Sequence, residues 1–356
     1  MFFSWIYLFI NYRMNINQNI NKIISRTRLY MENSDKYFKN IIRKEIYKNP
    51  EYEDLLPVLY GIENACSDIN KLLRKVTINE LDGSQQNKIN IQNETQQKID
   101  FISNRIMKTK LCSTGKIDYI ISEEENNICN CSELLQNKDF IINEKYFAVF
   151  DPLDGSSNID TGLPTGTIFG IFKKSFDNKI LLKGSSLILA GYCLYSASTQ
   201  LLISFEYGNF LFMYDDHLNQ FILIKKDIKI PISGPLYSFN DANKYADNIK
   251  DFLIELKKSD KKSARYMGAL VADTHNILFN GGIFGYPPLI NKPNGKLRLY
   301  YEAIPISFII EKAGGIATNG TDRILDIEPT NIHQRTPLFF GSVKQMNILE
   351  KYFIKK

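Results

Sequence analysis

An α+β fold is predicted by three features of the sequence. Apolar residues recur at helical spacing early in the chain, short β-rich runs follow, and helices and strands never settle into a regular βαβα rhythm. That irregularity favours α+β layers over a parallel doubly wound sheet. A length of 356 residues suits two domains or one large two-lobed domain. A composition that is 44% hydrophobic can bury a sizeable core, which excludes a disordered chain.

Taken in order, the chain opens on Phe2–Ile10, an apolar run of nine residues. A membrane-spanning helix needs roughly 20 such residues. No Lys or Arg precedes the run, and Asn-rich sequence follows. It reads as a weak signal sequence or as an extension upstream of a start at Met14 or Met31. The expectation is a poorly ordered leader over 1–25. From about Asp35 the pattern turns helical, with Phe38, Ile41, Ile42 and Ile46 on one face. A second helix is expected over 54–75, carrying Leu55, Leu59, Ile62, Cys66, Ile69 and Leu73. Residues 76–97 are polar and aperiodic and read as a mobile loop. A third helix covers about 97–110.

Strands are expected at 117–121, 146–150 and 166–172, then as an antiparallel meander over 200–206, 209–214 and 220–228. Helices follow at about 244–258 and 268–280, and a strand at 296–301. A helix over 304–312 has Pro305 in its first turn and stops at Gly314-Gly315. There is no internal repeat.

Composition narrows the chemistry. The net charge is +5, with no concentrated basic stripe, which argues against a nucleic-acid partner. The five cysteines form no C-x-x-C pair and suit neither a disulfide framework nor a zinc site, so a reducing compartment is the default reading. The three histidines lie far apart, so any metal chemistry must rest on carboxylates, which suit hard ions such as Mg²⁺. His275 and His333 read as packing and turn-ordering residues.

Acids recur where predicted strands end: Glu123 and Glu124, then Asp151 and Asp154, then Glu302. Strand ends of one sheet can converge on one crevice, where a divalent ion would relieve the repulsion. The triplet Glu123–Glu125 alone reads equally as solvated loop acids. Asp151-Pro152-Leu153-Asp154-Gly155-Ser156-Ser157 is more specific. Its two acids sit three apart across a Pro-fixed turn, within reach of one cation. Gly155 permits close approach, and the N–H groups of Gly155 and Ser156 can hold phosphate oxygens. Metal carboxylates beside an anion nest suit Mg²⁺-dependent phosphate hydrolysis.

That heptapeptide resembles the metal motif of the Mg²⁺-dependent, lithium-sensitive sugar and inositol phosphatases. FDPLDGSSNID, GTIFGIF, ARYMGALVADTHN, GGIFGYP, NGKLRLYYEAIP and EKAGGIAT together closely resemble the fructose-1,6-bisphosphatase family. The resemblance runs from about Arg26 to the C-terminus and is most specific after Tyr146. It implies a layered α-β-α-β-α fold with two mixed sheets. It also implies an N-terminal lobe over 26–220 and a C-terminal lobe over 221–356. The implied activity is removal of the 1-phosphate from fructose 1,6-bisphosphate, in gluconeogenesis.

Residue roles follow from the same resemblance. Glu123, Asp151, Asp154, Glu302 and the Leu153 carbonyl match Mg²⁺ ligands, and Mn²⁺ or Zn²⁺ can substitute. Glu94 matches an acid on a mobile catalytic loop. Asp100 and Glu124 match the pair that accepts a proton from the attacking water. Gly155, Ser156 and Ser157 belong to the substrate site. Asn240, Arg265, Tyr266, Tyr286 and Lys296 match a 6-phosphate pocket, Gly268 and Leu270 the sugar site, and Arg298 a position near the metals. Arg265 is the residue contributed across a subunit interface, which implies a homo-oligomer, a dimer or tetramer. A cytoplasmic protein without a membrane or nucleic-acid partner is expected.

One departure concerns regulation. The family's AMP site uses a Gly-Thr-Gly-Glu-Leu stretch, and the corresponding Lys48-Asn49-Pro50-Glu51-Tyr52 lacks both glycines and the Thr. Lys145-Tyr146 match the rest of that site, with Lys173 in place of an Arg. Weak or absent AMP inhibition is therefore expected. Rival readings are a sedoheptulose-1,7-bisphosphatase and a catalytically silent regulatory homologue. Asn240, Tyr286 and ARYMG argue against the first, and the complete set of metal-site acids against the second. Cys129 and Cys131 read as an adventitious pair.

Overall fold

The computed structural model describes residues 34–80, 88–135, 145–175, 179–240, 245–258 and 262–354, without the side chains of 76–97. The expected leader over 1–25 and the side chain of Glu94 lie outside the described residues.

Three helices open the described chain: α1 (Phe38–Tyr47), α2 (Leu56–Glu80) and α3 (Lys88–Cys112). The first two form where the apolar spacing predicts them, and Phe38, Ile42, Ile46, Leu59, Ile62, Cys66 and Ile69 are fully buried. The expected loop over 76–97 is largely replaced by helix, since α2 and α3 run into it from both sides. No proline stands between Pro57 and Pro152, and Gln, Glu and Lys are good helix formers, so polarity without periodicity does not exclude helix here.

Next come β1 (Ile117–Ser122), β2 (Cys129–Asn130), α4 (Cys131–Leu135), β3 (Tyr146–Asp154), β4 (Thr165–Lys173), β5 (Leu187–Tyr195), β6 (Gln200–Phe205), β7 (Gly208–Asp215) and β8 (Gln220–Lys226). They form one mixed sheet in the order β2-β1-β3-β4-β5-β6-β7-β8, in which β1 and β3 are parallel. The expected meander is β6-β7-β8. Strand β5 was not anticipated. It is buried on both faces, so its sequence shows a continuous apolar run rather than alternation. Tyr146, Ala148 and Phe150 of β3 face α1–α3, while Phe147 and Val149 face the opposite layer. Phe147 stacks between Tyr119 and Phe172 at 4.6 and 4.8 Å.

The remaining elements are β9 (Leu236–Ser238), α5 (Asp247–Lys258), β10 (Ser263–Ala264), α6 (Leu270–Asn280), β11 (Gly282–Tyr286), β12 (Leu297–Arg298), α7 (Ile304–Lys312), β13 (Ile316–Thr318), β14 (Arg335–Thr336), β15 (Leu338–Gly341) and α8 (Val343–Ile354). A second mixed sheet has the order β10-β9-β11-β15-β13, and β12 pairs with β14. Helices α6 and α7 share a core with the first sheet and with Phe284 and Phe340 of the second. Helices α5 and α8 pack on the other face of the second sheet through Phe252, Leu253, Met346 and Leu349. The result is the expected α-β-α-β-α layering.

Three further expectations are corrected. The lobe boundary at 220 cuts into β8, which completes the first sheet, so the junction lies after Lys226. The strand expected at 296–301 shrinks to β12 and is followed by a π-helical turn, Leu299–Ala303, that runs directly into α7. Its Leu-Tyr-Tyr sequence mimics a strand because this turn is wholly buried. Finally, Cys131 bonds to Cys112 in a disulfide, leaving Cys129 half-buried and free. The partners sit at the start of α4 and the end of α3, a proximity that cysteine spacing alone does not show.

Candidate active site

Parallel pairing of β1 and β3 brings their C-terminal ends side by side. Glu123 follows β1, and its N–H donates to the Phe150 carbonyl at 3.1 Å, which sets it beside Asp151. Asp151 and Asp154 lie within β3, where the sequence suggests a turn. Residues three apart on a regular strand point to opposite faces. Here the register to β4 shifts between Asp151 and Asp154, so a bulge absorbs one residue and brings both carboxylates to one side. Pro152 supplies no ladder N–H, and Thr167 Oγ1 donates to its carbonyl at 2.8 Å.

Glu302 arrives from the π-helical turn before α7. Ligand oxygens of Asp151, Asp154 and Glu302 all lie within 4.8 Å of one another, and all three residues are buried. Backbone donors hold each one. Leu153 N–H reaches Asp151 at 2.9 Å, Val271 N–H at the start of α6 reaches Asp154 at 2.7 Å, and Arg298 N–H reaches Glu302. Burial first, then the mutual repulsion of Glu123, Asp154 and Glu302, raises the Asp151 carboxyl well above its ordinary range. Burial and Glu123 likewise push Glu302 up.

These acids line a cavity of about 300 Å³ together with Leu153, Gly155, Ser156, Ser157, Tyr266, Gly268, Leu270, Tyr286, Lys296 and Arg298. Gly155 has φ +74°, and a Cβ there would sit 2.5 Å from that of Ala269, so glycine is required. Lys296 Nζ lies 6.0 Å from the centre of the Tyr286 ring. Asp100 on α3 stands outside the lining but bonds to Ser156, which belongs to it. Burial and then the charge of Glu124 raise Asp100 to about 7. Glu124 is exposed, yet partial desolvation and its neighbours Glu123 and Glu125 raise it too.

Two residues of the expected 6-phosphate pocket do not reach the cavity wall. Asn240 bonds to the Tyr266 side chain instead. Arg265 is exposed, and its guanidinium donates to the Ala264 carbonyl at 2.9 Å. Sequence reasoning missed Asp273, Phe284 and Arg335, which line the same cavity. Asp273 left a trace, an acid on the otherwise apolar first turns of α6. Arg335 left none, because only the β12–β14 pairing brings it to Arg298. His275 packs as expected, with Nδ1 2.8 Å from the Tyr192 hydroxyl, and burial pushes it down to about 4.

In the region matched to an AMP site, Lys145 is bonded to Asp54. Asp54 accepts from Lys116 at 2.5 Å and from Lys145, and these bonds hold its carboxyl below the usual range.

Comparison with known proteins agrees with this geometry. Residues 37–226 match the family model described as "Fructose-1-6-bisphosphatase, N-terminal domain", and residues 230–354 match the corresponding C-terminal domain. The chain is 40% identical over 327 residues to the chloroplastic fructose-1,6-bisphosphatase of Pisum sativum, covering 84% of this chain and 78% of that protein. It is 39% identical over 317 residues to the cytosolic enzyme of Oryza coarctata, covering 86% and 90%. The crystal structure of Leishmania major fructose-1,6-bisphosphatase in holo form superposes with a TM-score of 0.79 at 32% identity, covering 90% of this chain and 99% of that one. Among the described residues no helix is long and apolar enough to cross a membrane. With both of its halves matched, this chain belongs to the fructose-1,6-bisphosphatase family.

Proposed function

We propose that this protein hydrolyses fructose 1,6-bisphosphate to fructose 6-phosphate and phosphate, a step of gluconeogenesis, as the family membership implies. One observation carries the reading at the level of the site. A single cavity is lined both by clustered buried acids and by Lys296, Tyr266 and Tyr286, donors suited to a second phosphate.

The acids fit a hard divalent ion. They offer only oxygen ligands, they are buried, and among the described residues no ion pair neutralises them. Asp151, Asp154, Glu302, Glu123 and the Leu153 carbonyl would hold Mg²⁺, for which Mn²⁺ or Zn²⁺ can substitute, and the family resemblance adds Glu94 for a further metal. When bound, such an ion polarises the phosphoryl group and acidifies water.

Asp100 and Glu124 accept the proton of the attacking water as its oxygen bonds to phosphorus; the P–O bond to the sugar C1 oxygen breaks, and that oxygen takes up a proton from solvent water. An acid raised to about 7 suits that task near neutral pH. Gly155, Ser156 and Ser157 cradle the 1-phosphate, and Arg298 offsets charge beside it. Arg265 lies exposed, in keeping with service to a neighbouring copy in a homodimer or homotetramer. A cytoplasmic setting is proposed. A phosphate-release assay on fructose 1,6-bisphosphate, with and without Mg²⁺, tests the reading. Turnover that requires Mg²⁺ is expected, and its absence in well-folded protein overturns the proposal.

A further inference from the structure

We propose that Asp273 and Asn158 are positioning residues that clamp the backbone of Met267 and thereby set the spacing between the two phosphate subsites, an inference that rests on the function proposed above. The loop from Arg265 to Gly268 carries Tyr266 into the cavity. It is held at one residue, through both of the peptide groups that flank it. Both carboxylate oxygens of Asp273 accept from Met267 N–H at 3.2 Å, and Asn158 Nδ2 donates to the Met267 carbonyl at 3.0 Å.

Each clamp arm is itself anchored in a different layer. Asp273 is 1% exposed on α6 and also accepts from Ser238 Oγ of β9 at 2.6 Å. Asn158 follows the Asp154-Gly155 turn directly and donates again to the Pro164 carbonyl at 2.8 Å. First sheet, middle helices and second sheet therefore meet at Met267. The two loops also touch: a Cβ on Gly155 would strike Ala269, and one on Gly268 would lie 3.4 Å from Asn158 Oδ1. An acid buried at this depth is costly unless its oxygens are satisfied, and the loop and Ser238 satisfy them.

The distance from the Gly155–Ser157 turn to Tyr266 is thus fixed by protein bonds before substrate arrives. A rigid separation selects the length of a sugar bisphosphate, because a chain one carbon longer places its far phosphate out of register. Asp273 and Asn158 act through Tyr266 and its loop, without touching the reacting phosphate.

Steady-state kinetics of Asp273→Ala and Asn158→Ala on fructose 1,6-bisphosphate and sedoheptulose 1,7-bisphosphate test this. For Asp273→Ala, KM for the six-carbon sugar should rise about tenfold while kcat falls by about threefold or less, and the preference for that sugar should shrink about tenfold. Asp273→Asn should restore most of the loss, since its amide oxygen can accept from Met267 and its amide N–H can donate to Ser238. Should Asp273→Ala not fold, Asn158→Ala reads the same clamp from the carbonyl side. Folded variants whose KM and sugar preference stay within about twofold of the native values overturn the clamp. Absence of native turnover on fructose 1,6-bisphosphate overturns instead the functional reading beneath it.

Discussion

The acidic residues and the residues proposed for the second phosphate are built differently. Asp151, Asp154 and Glu302 are 3%, 8% and 7% exposed, and each is pinned by a backbone N–H. Tyr266 is 40% exposed, and Lys296 and Arg265 are open to solvent. Like charges that must stand close together repel, so their positions have to be imposed by the backbone. The solvated cations Lys296 and Arg265 need no such restraint at their charged ends, whereas the loop that carries Tyr266 is fixed at Met267. One group is held by buried backbone bonds, and the other stands open to solvent.

The sharpest way to break this contrast is Asp154→Ala, which should lower turnover by about a thousandfold or more while circular dichroism stays native. Substantial turnover in that folded variant would mean that the acids are not the catalytic group. Lys296→Ala should act more mildly, raising KM for fructose 1,6-bisphosphate about 10- to 100-fold with a smaller change in kcat. An unchanged KM would remove Lys296 from the second-phosphate site.

Glu63 offers a control, a buried acid outside the cavity. Its Oε2 has no hydrogen-bond partner, and burial pushes it up to about 7. A folded-state pKa above the unfolded one means that stability is fully present below about 4.5 and is lost as pH rises through about 7. Glu63→Gln should therefore raise stability at pH 8 by about 1–2 kcal/mol and flatten its fall between pH 5 and 8, measured by urea unfolding. An unaltered pH profile would show that burial alone does not perturb an acid here. The smallest expected effect is that of AMP. With Asp54 on Lys116 and Lys145, micromolar AMP should leave turnover unchanged, and strong cooperative inhibition would contradict that.

Much of this was visible in the sequence. Helices with one apolar face, such as Phe38–Tyr47, announce themselves by period, and the β6-β7-β8 meander by short β-rich runs separated by turn residues. Elements buried on all sides do not: β5 and the Leu299–Ala303 turn lack a polar face to set a phase. The polar stretch over 76–97 fails in the opposite way, carrying little apolar periodicity in its sequence. Asp151 and Asp154 were legible as metal-ligand candidates because their motif is local. Arg335, Asp273 and the Cys112–Cys131 bond join residues from separate elements, and no spacing rule reaches across that distance.

By itself, the sequence determined which chemistry is available: two acids three apart beside a glycine turn, further acids at strand ends, and few histidines. Those are properties of residue types and of short spacings, which the backbone preserves. Tertiary structure alone decided how the sets are joined. The bulge in β3 turns two carboxylates to one face, the start of α6 holds one of them, and Asp273 and Asn158 grip Met267 between the layers. Such distances depend on strand register and layer packing, which are settled only when all the layers close on one another.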